Sequence, residues 1–305
     1  MKRWHIACVV AFLISSNTFA QSRDQLPLID AHSQIDTEVN RDDIVGLMDK
    51  AGIAHVILAA RGKVKPWHIA ELARQHPTRI TASVRTKGGV YFRNSAKYYR
   101  LLDIQLGMPE FKAMAELIVW HAQKGKKARE VILPIDSEQV QTAFQAAKAR
   151  DWPFIVHIEH KAAGKDGPVF LKSFEKLAAS NREMKFILIH MAQLEAEQVE
   201  RLIKAHPNVY FMTSHANPVV TRKSSQPWTN LFTGGVLKPV WTKLMTTHAD
   251  RFVLAIDNVW QQHWYNNYAD QANIWRRALA KLPKKAAHAI AHKNAEQLWK
   301  LSPVK

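Results

Sequence analysis

Short apolar runs rich in Val and Ile alternate with longer amphipathic stretches along nearly the whole chain. Each run spans four to six residues and lacks a strict alternation of apolar and polar positions, which is typical of strands buried on both faces of a parallel sheet. This pattern constrains the fold more than any other feature. The predicted strands are Leu26–Ala31, His55–Ala60, Ile80–Val84, Glu130–Leu133, Phe154–Ile158, Lys185–Ile189, Val209–Met212 and Arg251–Ile256.

The stretches between these runs carry helical patterns. In Arg41–Ala51 the apolar residues recur on one face, acidic residues come early, and Gly52 ends the segment. Eight parallel strands that alternate with helices predict an α/β fold, a (β/α)8 TIM-like barrel. A doubly wound open sheet is the alternative, although no glycine-rich phosphate-binding turn follows a predicted strand. Similar patterns predict helices at Trp67–Gln75, Ser137–Arg150, Val169–Ala179 and Glu195–Ala205.

Two segments interrupt the alternation. Residues 87–127 form a long, aromatic-rich insertion after strand three, and residues 214–238 form a Ser-, Pro- and Gly-rich insertion after strand seven. No low-complexity linker divides the chain, so we predict one barrel domain over residues 21–305 that carries both insertions.

The first 20 residues, MKRWHIACVVAFLISSNTFA, have the pattern of a signal peptide. Lys2 and Arg3 precede an apolar run that is too short to span a bilayer, and small residues lead up to Ala20. We expect residues 1–20 to be removed and the protein to be exported, periplasmic or secreted, with a retained interfacial anchor as the alternative. The single cysteine, Cys8, lies in this segment, so no thiolate is expected to act as a nucleophile or ligand.

The chain carries a net charge of +17. Its Lys and Arg residues are spread over the sequence instead of forming a dense block, and no nucleic-acid-binding motif is present. We therefore predict a small-molecule substrate, no nucleic acid and no membrane contact after removal of the signal peptide. A homo-oligomer remains open.

Polar residues stand at the carboxyl ends of the predicted strands, where the chemistry of such barrels is located. His32 and Gln34 are two positions apart on one strand and so share a face, as do His157 and Glu159. Imidazoles and a carboxylate that converge in a closed ring suit a zinc-like divalent ion. The strand-end residues are His32, Gln34, Arg61, Arg85, His157, Glu159, His190, Ser214, His215 and Asp257.

This pattern resembles the amidohydrolase superfamily. The resemblance is to the amidohydrolase-related branch, which includes aminocarboxymuconate-semialdehyde decarboxylase and the pyrone-dicarboxylate lactonase. It rests on Asp30-Ala31-His32 at the first strand, on His157, on His190, and on DRFVLAIDN, which carries Asp257. The ending NAEQLW also resembles that of the family, so the similarity covers nearly the whole chain after the first segment.

The resemblance implies a divalent metal, Zn or Mn, with His32, Gln34, His157 and Asp257 as ligands. Asp257 would also carry a proton, and His190 would lie over the reacting bond. Gln34 stands where the family usually has His, and its neutral carbonyl oxygen is a poorer ligand for zinc than an imidazole. A metal-dependent site, a metal-independent site and a barrel without activity therefore stay open.

We expect an amidohydrolase-type hydrolase that cleaves a C–O or C–N bond in a small carboxylated substrate. A non-oxidative decarboxylase on the same site and a non-catalytic periplasmic ligand-binding barrel are the alternatives. Arg61 and Arg85 could clamp the substrate carboxylate, with surface salt bridges as the alternative. Glu159 could contact substrate or support His157, and Trp260 could form an aromatic platform or pack against the next helix.

Overall fold

A computed structural model describes residues 25–125 and 128–304. The predicted signal peptide at residues 1–20 lies outside the described residues. Within those ranges, no helix combines the length and the apolar character needed to span a bilayer.

The strands bear out the predicted alternation. The predicted strands at Ile80–Val84, Phe154–Ile158 and Val209–Met212 are confirmed in their full extent. The first strand runs four residues further than predicted, so His32 and Gln34 lie within it. In chain order the described strands are β1 (Leu28–Ile35), β2 (Ile53–Ala60), β3 (Ile80–Val84), β4 (Phe111–Met114), β5 (Leu117–His121), β6 (Val131–Ile132), β7 (Phe154–Ile158), β8 (Phe186–Leu188), β9 (Val209–Met212), β10 (Phe232–Thr233), β11 (Val236–Leu237) and β12 (Phe252–Val253).

Helices cover the outside of these strands, with apolar faces turned to the barrel. The predicted helices at residues 67–75, 137–150, 169–179 and 195–205 are confirmed to within two residues at each end. The described helices are α1 (Ile44–Ala51), α2 (Pro66–Gln75), α3 (Gly89–Phe92), α4 (Ala96–Leu106), α5 (Glu138–Lys148), α6 (Gly167–Ser180), α7 (Ala196–Ala205), α8 (Pro218–Thr221), α9 (Pro239–Thr247), α10 (Tyr268–Leu279), α11 (Lys284–His288) and α12 (Asn294–Trp299).

The strands form the ring of a (β/α)8 barrel. One sheet has the order β1-β2-β3-β4 and a second has the order β12-β9-β8-β7-β5-β6. At one junction the chain continues beyond β12 and pairs with β1, through backbone hydrogen bonds from Ala31 N to Leu254 O (3.0 Å), from Asp257 N to His32 O (2.8 Å) and from Gln34 N to Asn258 O (2.7 Å). The other junction lies inside the fourth barrel strand.

The fourth barrel strand differs from the prediction. It comprises β4 and β5, residues 111–121, in which β4 pairs with β3 and β5 pairs with β7. The kink between them lies at Ala115 and Glu116, where Ala115 N donates to Val84 O (3.0 Å) and Thr86 Oγ1 donates to Glu116 O (2.7 Å). The predicted strand at 130–133 is only β6, a two-residue strand antiparallel to β5.

Of the two predicted insertions, the first is shorter than predicted and the second is confirmed. The segment between β3 and β4 ends at residue 110 and contains α3 and α4, because residues 111–121 of the predicted insertion form the fourth strand. The insertion after β9 is confirmed and contains α8 and the β10–β11 hairpin. Two apolar clusters fill the rest of the molecule, one inside the barrel around Ile29, Ile155 and Ile187, and a larger one between barrel and helices.

Candidate active site

A cavity of about 570 Å³ opens at the carboxyl ends of the strands. Its buried lining residues with an imidazole or carboxylate side chain, called the floor, are Glu116, His157, His190, His215 and Asp257. Its cationic lining, called the rim, consists of Arg61, Lys87, Lys124 and Lys223. Trp228 and Trp260 add aromatic surface.

Two floor residues, Glu116 and Asp257, meet the buried side chains of His32 and Gln34. The Gln34 amide nitrogen Nε2 donates to Asp257 Oδ1 (2.8 Å) and to Glu116 Oε1 (3.1 Å), and it lies 3.3 Å from His32 Nε2. His32 Nε2 is 3.7 Å from Asp257 Oδ1 and 3.9 Å from Glu116 Oε1. The amide nitrogen thus occupies the space between the three ligand-type atoms. The Gln34 carbonyl oxygen is buried without a hydrogen-bond partner among the described residues.

Glu116 is a floor residue that the sequence analysis missed. It is 2% exposed, and its Oε1 also accepts a hydrogen bond from Lys87 Nζ. Burial acts to raise the pKa of Glu116, but Lys87 and His157 outweigh it and hold that pKa well below its usual range. Glu116 is therefore a buried carboxylate that depends on nearby cations.

His157 lies between two carboxylates. Its Nδ1 is 2.6 Å from Glu116 Oε2 and its Nε2 is 3.0 Å from Glu159 Oε1. Burial acts to lower the pKa of His157, but the two carboxylates outweigh it and raise that pKa. Glu159 also accepts from Lys124 Nζ (2.7 Å) and Ala122 N (2.8 Å). Both ring nitrogens of His157 are consequently engaged.

Asp257, His190 and His215 form a separate group. The two imidazoles stack with their centroids 4.2 Å apart and their planes within 4°, and both Nε2 atoms lie 3.5 Å from Asp257 Oδ2. Ser214 Oγ contacts His190 Nδ1 at 2.9 Å. All three residues of the group have left-handed backbone, with φ of 55° at His190, 57° at His215 and 56° at Asp257. Such strained positions persist only where surrounding structure enforces them.

The imidazoles of this group are held in their neutral form. Burial lowers the pKa of His190 well below its usual range, and the neighbouring His215 and His157 add to the effect. Burial likewise lowers the pKa of His215 to about 4, against the opposing influence of Asp257. Beside Asp257 there are thus two uncharged imidazoles.

Asp30 has a structural position beneath the cavity. Its carboxylate accepts from Ser33 Oγ (2.6 Å), Ile256 N (2.8 Å) and Tyr268 OH (3.1 Å). Burial raises the pKa of Asp30 to about 6, although these donors act in the opposite direction. Asp30 therefore ties β1 to the last strand and to α10 at the seam of the barrel.

Of the four residues predicted to contact substrate, two line the cavity and two do not. Arg61 and Trp260 both line the cavity, with the Arg61 guanidinium 3.9 Å from the centroid of the Trp260 ring. Arg85 does not line it, because its guanidinium donates to Gly62 O (2.9 Å) and Lys87 O (3.1 Å) and so fixes two loops. Glu159 does not line the cavity either, because its carboxylate is bound to His157 of the floor and Lys124 of the rim. In the aromatic stretch that follows Trp260, Trp264 is buried against β1, where its Nε1 donates to Gln34 O (2.9 Å).

The described residues include clusters that could hold a divalent metal. Four groups bring ligand atoms within 4.8 Å of one another: His32, Glu116 and Asp257; Glu116, His157 and His190; His121, His157 and Glu159; and His190, His215 and Asp257. The predicted set of His32, Gln34, His157 and Asp257 is not assembled at one point. Gln34 presents its amide nitrogen, a donor that cannot ligate, and both His157 nitrogens face carboxylates. This arrangement does not fit an ion at the predicted position.

A family model described as amidohydrolase matches residues 109–301. The chain belongs to the amidohydrolase family. The match includes the fourth to eighth strands of the barrel and therefore all five residues of the floor. No curated protein matches the amidohydrolase chain in sequence.

Solved structures share the fold of this amidohydrolase over nearly its whole length. An uncharacterised TIM-barrel protein from Bordetella bronchiseptica has a TM-score of 0.60 at 11% identity, covering 90% of this chain and 99% of its own. A 2,6-dihydroxybenzoate decarboxylase from Rhizobium has a TM-score of 0.57 at 15% identity, covering 91% and 99%. An amidohydrolase from Burkholderia multivorans with bound zinc has a TM-score of 0.57 at 11% identity, covering 90% and 99%. At these identities the likeness shows the fold, a TIM barrel.

Proposed function

We propose that this amidohydrolase is a hydrolase that cleaves a C–O or C–N bond in a small carboxylated substrate. The observation that carries the proposal is the position of Asp257. Its Oδ2 lies on the floor between two neutral imidazoles, 3.5 Å from each, while its Oδ1 is held by Gln34. One carboxylate oxygen is thereby fixed and the other is available to a reactant.

The rim supports an anionic substrate. Four cations line the cavity, against two carboxylates of the floor, Glu116 and Asp257. Arg61 is positioned by Asp36, whose Oδ2 accepts from its Nη1 at 2.9 Å, and Lys124 lies 4.5 Å from the centroid of the Trp228 ring. A flat carboxylated molecule placed between Trp228 and Trp260 would meet aromatic faces and cations together.

The proposed mechanism uses the floor residues. Asp257 accepts a proton from a water molecule and returns it to the leaving oxygen or nitrogen. The neutral ring of His190, oriented by Ser214, holds the water or the carbonyl oxygen above Asp257. The cations of the rim bind the substrate carboxylate and fix the distance of the reacting carbonyl from Asp257.

Screening of carboxylated esters, lactones and amides in water enriched in ¹⁸O tests this proposal. Cleavage should place the heavy oxygen in the acid product. Asp257→Asn should lower kcat by about 10²–10⁴-fold, the range for removal of a general base. Asp250→Asn, whose side chain is 69% exposed, is the control and should leave kcat unchanged. Full activity of Asp257→Asn on an identified substrate would overturn the assigned role.

A decarboxylase is the second candidate. The 2,6-dihydroxybenzoate decarboxylase shares the fold, and a carboxylated aromatic substrate would suit the same lining. The two reactions differ in their products, since a decarboxylase releases CO₂ and takes a proton on carbon. A ligand that raises Tm but yields neither product would instead support the non-catalytic barrel.

The predicted export and the predicted absence of nucleic-acid binding stay part of this proposal. Secretion of a reporter fused to residues 1–20 would test the first. A lack of salt-dependent DNA or RNA affinity would be expected for the second.

A further inference from the structure

We propose that a divalent transition-metal ion, Zn²⁺ or Cu²⁺, binds between His288 and His292, at the end of the barrel opposite the cavity. Neither residue lines the cavity, and neither takes part in the hydrolysis proposed above. The inference therefore goes beyond the proposed function and shares no residue with it.

The two histidines lie on the segment that leads into α12. Asn294, the first residue of α12, donates through Nδ2 to Ala249 O (2.7 Å) and Phe252 O (2.8 Å), at the amino end of β12. The cavity opens at the carboxyl ends of the strands. An ion held by this segment is therefore remote from Asp257 and the other residues of the floor.

The two imidazoles are turned toward each other. His288 Nδ1 lies 3.1 Å from His292 Nε2, and the ring planes are 74° apart. Two nitrogens that bind one zinc-type ion in tetrahedral geometry are about 3.3 Å apart, so small side-chain rotations are enough to seat an ion. One turn of π-helix, Ala289–Lys293, brings the rings together, and such turns are rare and frequent at functional sites.

Glu296 fixes the tautomer of His292. Its Oε1 lies 2.8 Å from His292 Nδ1 and also accepts from Val304 N (2.8 Å). Because the carboxylate accepts, His292 carries its proton on Nδ1, and the lone pair on Nε2 faces His288. A carboxylate behind a ligating imidazole is the usual outer support of a zinc site. His292 is 5% exposed, so packing holds its ring in this orientation.

His288 supplies the second lone pair. Its side chain is half-buried, and in the absence of an ion its Nδ1 donates to His292 Nε2. When an ion binds, this proton moves to His288 Nε2 and the lone pair on Nδ1 turns to the metal. The number of protons on the pair stays the same. Water fills the remaining coordination positions, as in other sites that the protein leaves open.

The surroundings of the pair select the class of ion. Burial, His292 and the ammonium groups of Lys293 and Lys284 lower the pKa of His288. The two ammonium groups disfavour a hard ion such as Mg²⁺ or Ca²⁺, which would need several oxygen ligands. Imidazoles suit zinc and copper, and Cu²⁺ stands above Zn²⁺ in the general order of affinity.

The experiment counts the ions that chelator-treated, full-length protein binds in calorimetric titrations with Zn²⁺ and Cu²⁺. His288→Asn and His292→Asn should each bind one ion fewer per chain than wild type, since loss of one of two imidazoles weakens the site by about 100-fold or more. His76→Asn replaces a half-buried histidine after α2 and is the control. Ions at the floor contribute equally to all these proteins. Equal counts for wild type and His288→Asn would overturn the proposal.

Acylation by diethyl pyrocarbonate locates the ion in wild type, which avoids any question of how His292→Asn folds. The reagent attacks an imidazole nitrogen that has a free lone pair, which His288 has at Nε2 only while no ion is bound. Zn²⁺ at about ten times its Kd should slow the modification of His288 by about tenfold, as measured by peptide mass spectrometry, and should leave His76 unchanged.

Glu296→Gln tests the outer support. The variant should weaken the protection of His288 by about tenfold, within the range for loss of such a partner. Modification of His288 at the same rate with and without saturating Zn²⁺ would contradict the proposal. Because no substrate is used, these results are independent of whether the proposed hydrolysis occurs.

Discussion

Gln34 Nε2 donates to Asp257 Oδ1 over 2.8 Å, a contact between the first and the last strand of the barrel. The amide therefore holds one oxygen of Asp257 and leaves the other for the His190–His215 side of the floor. Gln34 stands where the resemblance predicts a histidine, and its amide donates to the carboxylate on which the proposed function rests.

Replacement of Gln34 by His should raise the affinity for Zn²⁺ by about tenfold or more, which corresponds to about 1.4 kcal/mol. The variant removes the donor that fills the His32, Glu116 and Asp257 group and adds an imidazole ligand. Gln34→Leu removes the donor without adding a ligand and is the matched control. Calorimetry checks the prediction, and an equal affinity of wild type and Gln34→His would contradict it.

Replacement of Lys87 by Met should destabilise the protein by about 3 kcal/mol, because it leaves the buried Glu116 carboxylate without its main cation. Lys87 is 17% exposed and Glu116 is 2% exposed in their side chains. Denaturant unfolding measures the loss. The double variant with Glu116→Gln should be more stable than the sum of the single effects predicts.

Lys63→Met is the control for this series, since Lys63 is exposed and contacts the cavity floor nowhere in the described residues. Its free energy of unfolding should stay within about 0.5 kcal/mol of wild type. Strict additivity of Lys87→Met and Glu116→Gln would show that the two side chains do not interact.

Gly62 should not tolerate a side chain. Its φ is +54°, and a Cβ atom would lie 2.0 Å from Asp36 Oδ2, the oxygen that holds Arg61. Gly234 has nearly the same φ, +57°, and an added Cβ would meet nothing within 4 Å. Gly234→Ala therefore isolates the backbone cost, about 1 kcal/mol.

We expect Gly62→Ala to exceed Gly234→Ala in destabilisation by about 1–2 kcal/mol, because the Asp36–Arg61 contact must also shift. The free energies of unfolding in guanidinium chloride provide the comparison. Equal losses in the two variants would show that the loop after β2 adapts without cost.

Titration of Asp30 should lower the free energy of unfolding as the pH rises. Its pKa is raised from 3.8 to about 6 in the folded protein, so the folded state binds more protons than the unfolded state between these values. The stabilisation that Asp30 gives to the folded state is complete below about pH 4 and is lost as the pH rises through about 6. The loss amounts to about 3 kcal/mol in the free energy of unfolding. Asp30→Asn cannot titrate and removes this dependence.

The measurement is the difference between the unfolding free energies of wild type and Asp30→Asn from pH 4 to pH 7. The free energy of unfolding of wild type should fall relative to that of Asp30→Asn as the pH rises. A constant difference would show that the donors around Asp30, namely Ser33 Oγ, Ile256 N and Tyr268 OH, stabilise its ionised form enough to cancel the effect of burial.

The fourth strand shows where the sequence was insufficient. FKAMAELIVWH contains a lysine, a glutamate and a final histidine among apolar residues, and charged residues are seldom fully buried unless they are paired. The cations that pair with Glu116 come from elsewhere, Lys87 from the loop after β3 and His157 from β7. The run 130–133 has three apolar residues in succession, yet only Val131 and Ile132 form a strand there, with one further backbone hydrogen bond from Leu133 N to Val119 O. Local composition therefore could not show that the fourth barrel strand lies at residues 111–121 and not at 130–133.

The sequence by itself determined the alternation of strands and helices, favoured the barrel over an open sheet, and placed His157, His190 and Asp257 at or just after carboxyl ends of strands, because burial on two faces and the direction of parallel strands impose those patterns. Only the tertiary structure decided which of these atoms are free. The Gln34 amide, the Lys87 ammonium and the carboxylates around His157 come from separate strands and loops. Hydrogen bonds between residues on different strands depend on how segments far apart in sequence pack together, and no local sequence pattern encodes that packing.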